Sequence, residues 1–269
     1  MYLLFDIGGT KTRIGVSSDG VNLDSSQVIS THQDFESFIP VFKDIAESLS
    51  GGQAIQACAG GIRGVLDENK TVLIYDAVLP DWVRKPLKET LQNILRVRVF
   101  LENDAALGAL GEANKGAGAG FGIVTYITVS TGIGGAKVVN GKLEKQVFGF
   151  EPGHQIISLD GMEFEQYISG TALTKEYGMP SEQINDPAVW DEAARRLSIG
   201  LNNTILHWSP HIVILGGGLM QRIPIERVRF HLSQTLKLFP KPPEIALSKL
   251  GELAGMTGAL EYLKQNLKT

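Results

Sequence analysis

The sequence predicts an α/β chain built of two related halves. Three observations predict it. Short apolar runs alternate with longer segments whose apolar residues recur at helical spacing. Each half opens on a strand–Gly-Gly–strand pattern, Ile7-Gly8-Gly9 returning as Ile133-Gly134-Gly135. Between them stands Gly116-Ala117-Gly118-Ala119-Gly120, which reads as a linker. Repetition at about domain length points to duplication rather than a solenoid, although two unrelated hairpins sharing a Gly-Gly turn would show the same pattern. The expected division is residues 1–115, with the C-terminal helix joining them, and residues 116–269.

The elements follow in order. Tyr2–Phe5 is an apolar strand ending at Asp6, and Arg13–Val16 returns beside it after the Gly8-Gly9 turn. Val28–Ser30 reads as a third strand. Asp34 is placed to cap a helix whose apolar face is Phe35, Phe38, Ile39, Phe42, Ile45, Ala46 and Leu49, stopped by Gly51-Gly52. Ala54–Ala59 is a short buried strand running into Gly60-Gly61, Trp82–Leu95 a helix, and Val97–Leu101 a strand that ends at Glu102-Asn103-Asp104. A helix of small residues begins there and runs to about Lys115. In the second half Ile123–Val129 is a strand, Ser130–Gly135 a glycine turn, and Ala136–Val139 the return strand, closed by Asn140-Gly141. Ala188–Leu206 is a long helix, Ile212–Leu215 a buried strand before Gly216-Gly217-Gly218, and Ala254–Leu263 an amphipathic terminal helix.

Composition excludes several classes. The 269 residues are 43% hydrophobic and 20% charged, which excludes wholesale disorder and allows a substantial core. The 31 glycines show no G-X-Y period, so the chain is not collagenous. A net charge of −4 without a Lys/Arg block speaks against a nucleic-acid partner. Cys58 is the only cysteine, so no internal disulfide and no Cys-rich zinc site can form. The opening MYLLFDIGG lacks the basic segment and apolar length of a signal peptide, and no run reaches the ~18 apolar residues of a membrane span. The expectation is a reduced, cytoplasmic protein with no membrane partner.

Asp6-Ile7-Gly8-Gly9-Thr10-Lys11 is the first segment able to carry chemistry. Glycines without Cβ atoms let backbone N–H groups approach a phosphate, Thr10 and Lys11 add a hydroxyl and a cation, and Asp6 is placed to hold a hydrated Mg²⁺. The spacing matches neither a P-loop nor a dinucleotide fingerprint, and an ordinary hairpin turn fits it equally well. Thr131-Gly132-Ile133-Gly134-Gly135 offers a second cradle. The turn around Gly217 follows a strand, where ligands of open α/β sheets sit, or is a simple strand-to-helix turn. Asn103-Asp104 reads as a helix cap or, if phosphate loops flank it, Asp104 as a general base. Glu151, His154 and Glu165 form a carboxylate–imidazole set suited to a polyhydroxyl ligand. Asp160 and Glu163 also lie near His154, but with no cysteine there zinc is not expected.

These segments resemble the ROK family (repressors, open reading frames and kinases) of the sugar kinase, Hsp70 and actin fold. The resemblance runs along nearly the whole chain: Asp6–Lys11, Leu79-Pro80-Asp81-Trp82, Glu102–Ala105 with Leu110-Gly111-Glu112, Thr128–Gly135, Glu151-Pro152-Gly153-His154, Glu165–Gly170 and Ala254–Ala259 occur in the family's order. It implies two duplicated ribonuclease H-like α/β domains of the actin and hexokinase type with a cleft between them. It also implies ATP- and Mg²⁺-dependent phosphorylation of a hexose or N-acetylhexosamine, at the 6-OH. By resemblance Asp104 is the base, and Gly61, Asn103, Glu151, His154 and Glu165 hold the sugar. Gly8, Gly9, Thr10, Lys11, Thr131, Gly132 and Gly217 line the nucleotide side, and Asp6 serves Mg²⁺. A homodimer is compatible with this reading.

Four departures stand out. Gln155–Met162 is short and free of cysteine where many members hold a structural zinc, so no zinc is expected. Arg63 and Val65 stand where the usual Gly-Ile-Pro-Gly-Pro has its two prolines, and Val78 stands where an asparagine often precedes Leu-Pro. No helix-turn-helix precedes Asp6, which argues against the repressor branch. Two other readings stay open: a kinase-derived sugar-binding regulator without turnover, and a kinase of the same fold acting on a non-sugar acid. Two carboxylates in the ligand set would repel an anion, which favours the polyol.

Overall fold

Parallel and antiparallel pairing meet at one strand in each half of the chain, and this sets the architecture. The computed structural model describes residues 1–267. The chain divides into two compact units: Met1–Asn114, Lys145–Gly149 and the residues from Leu253 onward form the first, and Lys115–Glu144 with Phe150–Glu252 the second.

Unit 1 opens with an antiparallel meander of β1 (Tyr2–Ile7), β2 (Lys11–Ser17) and β3 (Ser25–Ser30). Helix α1 (Phe35–Ser50) starts where Asp34 accepts a hydrogen bond from Ser37 N at 2.6 Å, and it stops at Gly51 in the left-handed region. Strand β4 (Ala57–Ile62) then runs parallel to β1. It begins later than the sequence predicts and carries Gly60 and Gly61 inside it, because a Cβ at Gly60 would collide with the Phe5 ring on the neighbouring strand. A small hairpin unseen in the sequence, β5 (Val65–Leu66) with β6 (Leu73–Tyr75), follows.

The expected Trp82–Leu95 helix is two pieces. Pro80–Trp82 is a short 3₁₀ turn, and α2 (Leu87–Leu95) begins only after Pro86, which has no N–H to continue an earlier helix. The freed Trp82 is a core plug. Its ring sits 5.3 Å from Phe35 and 4.8 Å from Phe38, and its indole N–H donates to His32 O at 3.1 Å. Asp81 accepts from Phe35 N at 3.0 Å, so this motif locks the start of α1. Strand β7 (Arg98–Asn103) completes the sheet in the order β3-β2-β1-β4-β7, and α3 (Asp104–Lys115) leaves its end.

Unit 2 repeats this plan. Strands β8 (Ile123–Val129), β9 (Ile133–Val139) and β10 (Lys142–Leu143) form its meander. Pairing of Val129 with Ile133 shortens the expected glycine turn, and Ile133–Gly135 belong to the strand. Helices α4 (Phe164–Tyr167), α5 (Gly170–Tyr177) and α6 (Pro187–Trp208) follow, the last capped by Asp186 with Pro187 in its first turn. Strand β11 (Ile212–Gly216), helix α7 (Ile225–Thr235) and strand β12 (Glu244–Leu247) close the unit. The order β10-β9-β8-β11-β12 matches that of the first sheet.

The chain then returns to unit 1 as α8 (Ala254–Leu267). Alternation along β1 explains why two layers are needed. Leu3, Phe5 and Ile7 join the core under α1 and α2, whereas Leu4 packs with Leu107, Met256, Ala259 and Leu260. Leu263 covers Ala57 and Ala59 on the same face. Helices α3 and α8 touch backbone to backbone: Gly111 approaches the Ala254 carbonyl and Gly258 the Leu107 carbonyl so closely that any Cβ would force them apart.

Candidate active site

The carboxyl edge of unit 1 gathers one group of predicted residues. Ile7, Ile62 and Asn103 are register partners on the parallel strands β1, β4 and β7. The residues that follow them are Gly8, Arg63 and Asp104, so three strand ends deliver a glycine turn, a cation and a carboxylate to one place. Gly61 lies one residue inside this edge, and a Cβ there would sit 2.9 Å from Asp104 Cα. The missing side chain lets β4 lie against the first turn of α3.

The Gly8-Gly9 turn is closed by Gly8 N donating to Lys11 O at 3.0 Å. Neither glycine has a positive φ, so steric space, not backbone strain, explains them. A Cβ at Gly9 would lie 2.5 Å from Arg63 Nη1 and 3.0 Å from Val78 Cγ1. Thr10 and Lys11 are exposed beside the turn.

Asn103, not Asp104, caps α3. Its Oδ1 accepts from Ala106 N at 3.0 Å, and its Nδ2 donates to Gly64 O at 3.0 Å. An amide has two N–H donors, so the cap leaves one for a ligand hydroxyl. Asp104 accepts from the adjacent Ala105 N at 2.7 Å. Burial raises its pKa above the ordinary carboxylate range, against the Ala105 N–H and the Arg63 charge. Asp6 is also shifted: burial pushes its carboxyl up to about 7, Asp104 adding to the rise and Arg13 opposing it. A hard oxygen ligand that a second carboxylate pushes toward neutrality fits a divalent cation, which would relieve the repulsion.

Unit 2 gathers the rest around the β8–β9 turn. Glu165 Oε2 accepts from Ile133 N at 3.2 Å, and a Cβ at Gly132 would meet that same oxygen at 2.7 Å. Glu165 is therefore tied to the turn that the sequence assigns to phosphates. His154 Nδ1 pairs with Glu163 Oε2 at 2.9 Å. Burial disfavours charge on this imidazole, but the Glu163 hydrogen bond and the charges of Glu165, Glu163 and Glu151 outweigh it and raise its pKa. Thr131 lines a cavity of ≈ 680 Å³ with Ser130, Thr171, Lys175, Gly218 and Arg222. Gly217 shapes the loop beside it, with φ +89° and no room for a Cβ against the Val129 carbonyl.

Zinc has a poor ligand set here. His154, Glu163 and Glu165 offer three ligand atoms within 4.8 Å of one another. Both carboxylates already serve as hydrogen-bond acceptors, and the chain's one thiol, Cys58, is buried inside β4, its pKa driven upward by that burial. The trio thus fits a hydrogen-bonding set better than a structural zinc. We expect chelator-treated protein to keep its fold and turnover. Elemental analysis of active protein checks this; stoichiometric zinc whose removal unfolds the chain would overturn it.

Three side chains at the site make contacts that the sequence reading did not assign: Arg63 beside the glycine turn, Asp76 as the acceptor of its Nε, and Glu163 as the partner that orients His154. Arg63 was visible only as a replaced proline. Asp76 accepts locally from Val78 N and Leu79 N, and its third partner, Arg63, lies on the far side of the small β5–β6 hairpin.

The profile of the ROK family matches residues 2–266, and the chain belongs to that family. It is similar to the ROK hexokinase of Thermus thermophilus, at 30% identity and TM-score 0.82, covering 98% of this chain and 99% of that one. A ROK family glucokinase of Streptomyces griseus, solved with glucose and AMPPNP, aligns at 26% identity and TM-score 0.84 over 98% and 99% of the two chains. The N-acetyl-D-glucosamine kinase of Escherichia fergusonii is 28% identical over 96% of this chain and 98% of its own.

Proposed function

We propose, with membership of the ROK family as premise, that the protein is a sugar kinase that transfers the γ-phosphoryl group of ATP to the 6-OH of a hexose or N-acetylhexosamine. The observation that carries this reading is Asp104: a desolvated carboxylate of raised pKa, at a strand end beside a glycine turn, whose capping duty Asn103 has taken over. The similarity to a glucokinase solved with glucose and AMPPNP supports the sugar and the nucleotide. Similarity to both hexokinase and N-acetyl-D-glucosamine kinase keeps both sugar classes in the reading.

Asp104 takes the hydroxyl proton as the sugar oxygen attacks, and a base of raised pKa is better matched to that task near neutral pH. The second Asn103 N–H, the Gly61 edge, Glu151, His154 and Glu165 bind sugar hydroxyls. His154 is held in one orientation by Glu163, as a hydroxyl ligand requires. Gly8, Gly9, Thr10 and Lys11 in unit 1, and Thr131, Gly132 and Gly217 in unit 2, bind the nucleotide side with backbone N–H groups and short polar side chains. Asp6 would hold Mg²⁺, which supplies charge neutralisation to the phosphates when bound. Most of the catalysis is positioning and electrostatic stabilisation. Among the described residues no helix is long and apolar enough to cross a membrane, and an ATP-consuming kinase of this kind is read as cytoplasmic.

The test is ADP release measured over a panel of hexoses, N-acetylhexosamines and small carboxylic acids. Turnover of one or more sugars is expected. Sugar binding without turnover would establish the regulator reading instead, and turnover of an acid alone would replace the substrate class.

A further inference from the structure

Arg63 has no part in the reaction as described, yet it stands at the centre of the unit 1 edge. Its backbone N donates to Ile7 O at 3.0 Å, which continues the β1–β4 ladder one residue beyond the strand. Its guanidinium Nε donates to Asp76 Oδ2 at 2.8 Å. Asp76 is itself fixed: Oδ1 accepts from Val78 N at 2.7 Å and from Leu79 N at 2.6 Å, and its side chain is only 3% exposed. The clamp sets the direction of the fork. Nη1 overhangs the Gly8-Gly9 turn, in the volume a Cβ at Gly9 would take, and 24% of the Arg63 side chain faces solvent. Asp104 senses the same cation. A planar donor fork of permanent charge therefore lies between a phosphate-type turn and the proposed base, aimed by a buried carboxylate that uses only one of its donors.

We propose that Arg63 is a further catalytic residue, whose guanidinium binds the γ-phosphoryl group held at the Gly8-Gly9 turn and stabilises it during transfer. This rests on the sugar-kinase reading above. In the step, the sugar oxygen forms a bond to the γ-phosphorus and its proton passes to Asp104. The bond from that phosphorus to the bridging oxygen breaks, and its electron pair leaves with ADP. The three peripheral oxygens carry the charge that the Arg63 fork meets. An arginine on a transferring phosphoryl group is worth about 10³–10⁵-fold in phosphoryl-transfer enzymes. Asp76 offsets part of the charge here, and a loss of ~10²–10³-fold, that of a single electrostatic donor, is the expectation.

Arg63→Gln removes the charge but leaves Asp76 buried and unpaired, so Arg63→Gln/Asp76→Asn is made beside it, and Arg63→Lys keeps the charge without the fork. The readouts are kcat, sugar Kd, Kd of ADP with aluminium fluoride in the presence of sugar, and rescue by added guanidinium ion. Both Gln variants are expected to lose kcat by ~10²–10³-fold and the aluminium fluoride complex by a similar factor, with sugar Kd unchanged. Arg63→Lys falls between, and guanidinium restores part of the Arg63→Gln rate. A folded double variant that keeps wild-type kcat and aluminium fluoride affinity overturns the proposal. So does a weakened sugar Kd with intact aluminium fluoride binding, which would make Arg63 a reader of the sugar. Failure of the wild type on every sugar rejects the kinase reading itself, and this proposal with it, before any variant is compared.

Discussion

Asp104→Asn is expected to lower kcat by ~10²–10⁴-fold, the contribution of a positioned general base, while sugar and ATP still bind. At about 1.36 kcal/mol per factor of ten this is roughly 3–5 kcal/mol of barrier. Asparagine keeps the size and the hydrogen-bonding reach of aspartate but accepts no proton. The structure sharpens the prediction on the stability side. If Asp104 were a helix cap, asparagine would replace it without loss and alanine would cost ~1 kcal/mol. The cap of α3 is instead Asn103, through Ala106 N. Burial works against the Asp104 charge, so the neutral variant should melt at the wild-type temperature or above it. The measurement is kcat at saturating sugar and MgATP beside a melting curve. A stable Asp104→Asn protein with near-normal kcat removes Asp104 as the base.

Asp6→Asn is expected to make the protein more stable and nearly inactive. The sign follows from linkage. Burial pushes the Asp6 carboxyl up to about 7 in the fold, from an ordinary value of 3.8. Between those values the native state binds more protons than the unfolded chain, so stability falls as pH rises through that window and levels off above it. Asparagine carries no charge and removes the penalty. At pH 8 without magnesium the gain is roughly 2–4 kcal/mol, counting ~1.36 kcal/mol per pKa unit and discounting for partial exposure. At pH 4 the two proteins should melt alike. Turnover should drop by ~10²-fold or more, as for other lost electrostatic clamps on a phosphoryl group, and added Mg²⁺ should raise the melting temperature of the wild type alone. Equal melting at pH 8 would show that Asp6 is not held in a strained charge state. Normal kcat in Asp6→Asn would remove it from the nucleotide chemistry.

The parts of this fold that were legible in the sequence are those set by neighbours along the chain. Asp34 and Gly51 mark the ends of α1 through their own side chain or backbone, and the paired hairpins announce themselves as apolar runs around glycines. The misread elements are those decided by a distant contact. Gly60 and Gly61 look like a strand terminator, yet the Phe5 ring and the Asp104 backbone need the space they leave, so the strand passes through them. Trp82 begins an apolar periodic stretch, but its ring belongs to Phe35 and Phe38, and Pro86 separates it from α2. The candidate site divides in the same way. Asp6, Asp104 and the glycine turns sit in short motifs with a chemical logic of their own. The Asp76 clamp on Arg63 and the Glu163 bond to His154 exist only once loops have been folded back.

The last helix of the chain completes the first sheet. Leu4, Ala57 and Ala59 are covered by residues of α8, which follows all of unit 2 in sequence. On a growing polypeptide that face of β1 and β4 stays bare while more than half of the chain is made. Unit 2, built almost entirely from one continuous stretch, has no such debt and can mature while unit 1 waits with half its roof missing. Vectorial synthesis therefore reverses the order in which the two units are finished. A chain cut short before Ala254 would leave that apolar sheet face open to aggregation.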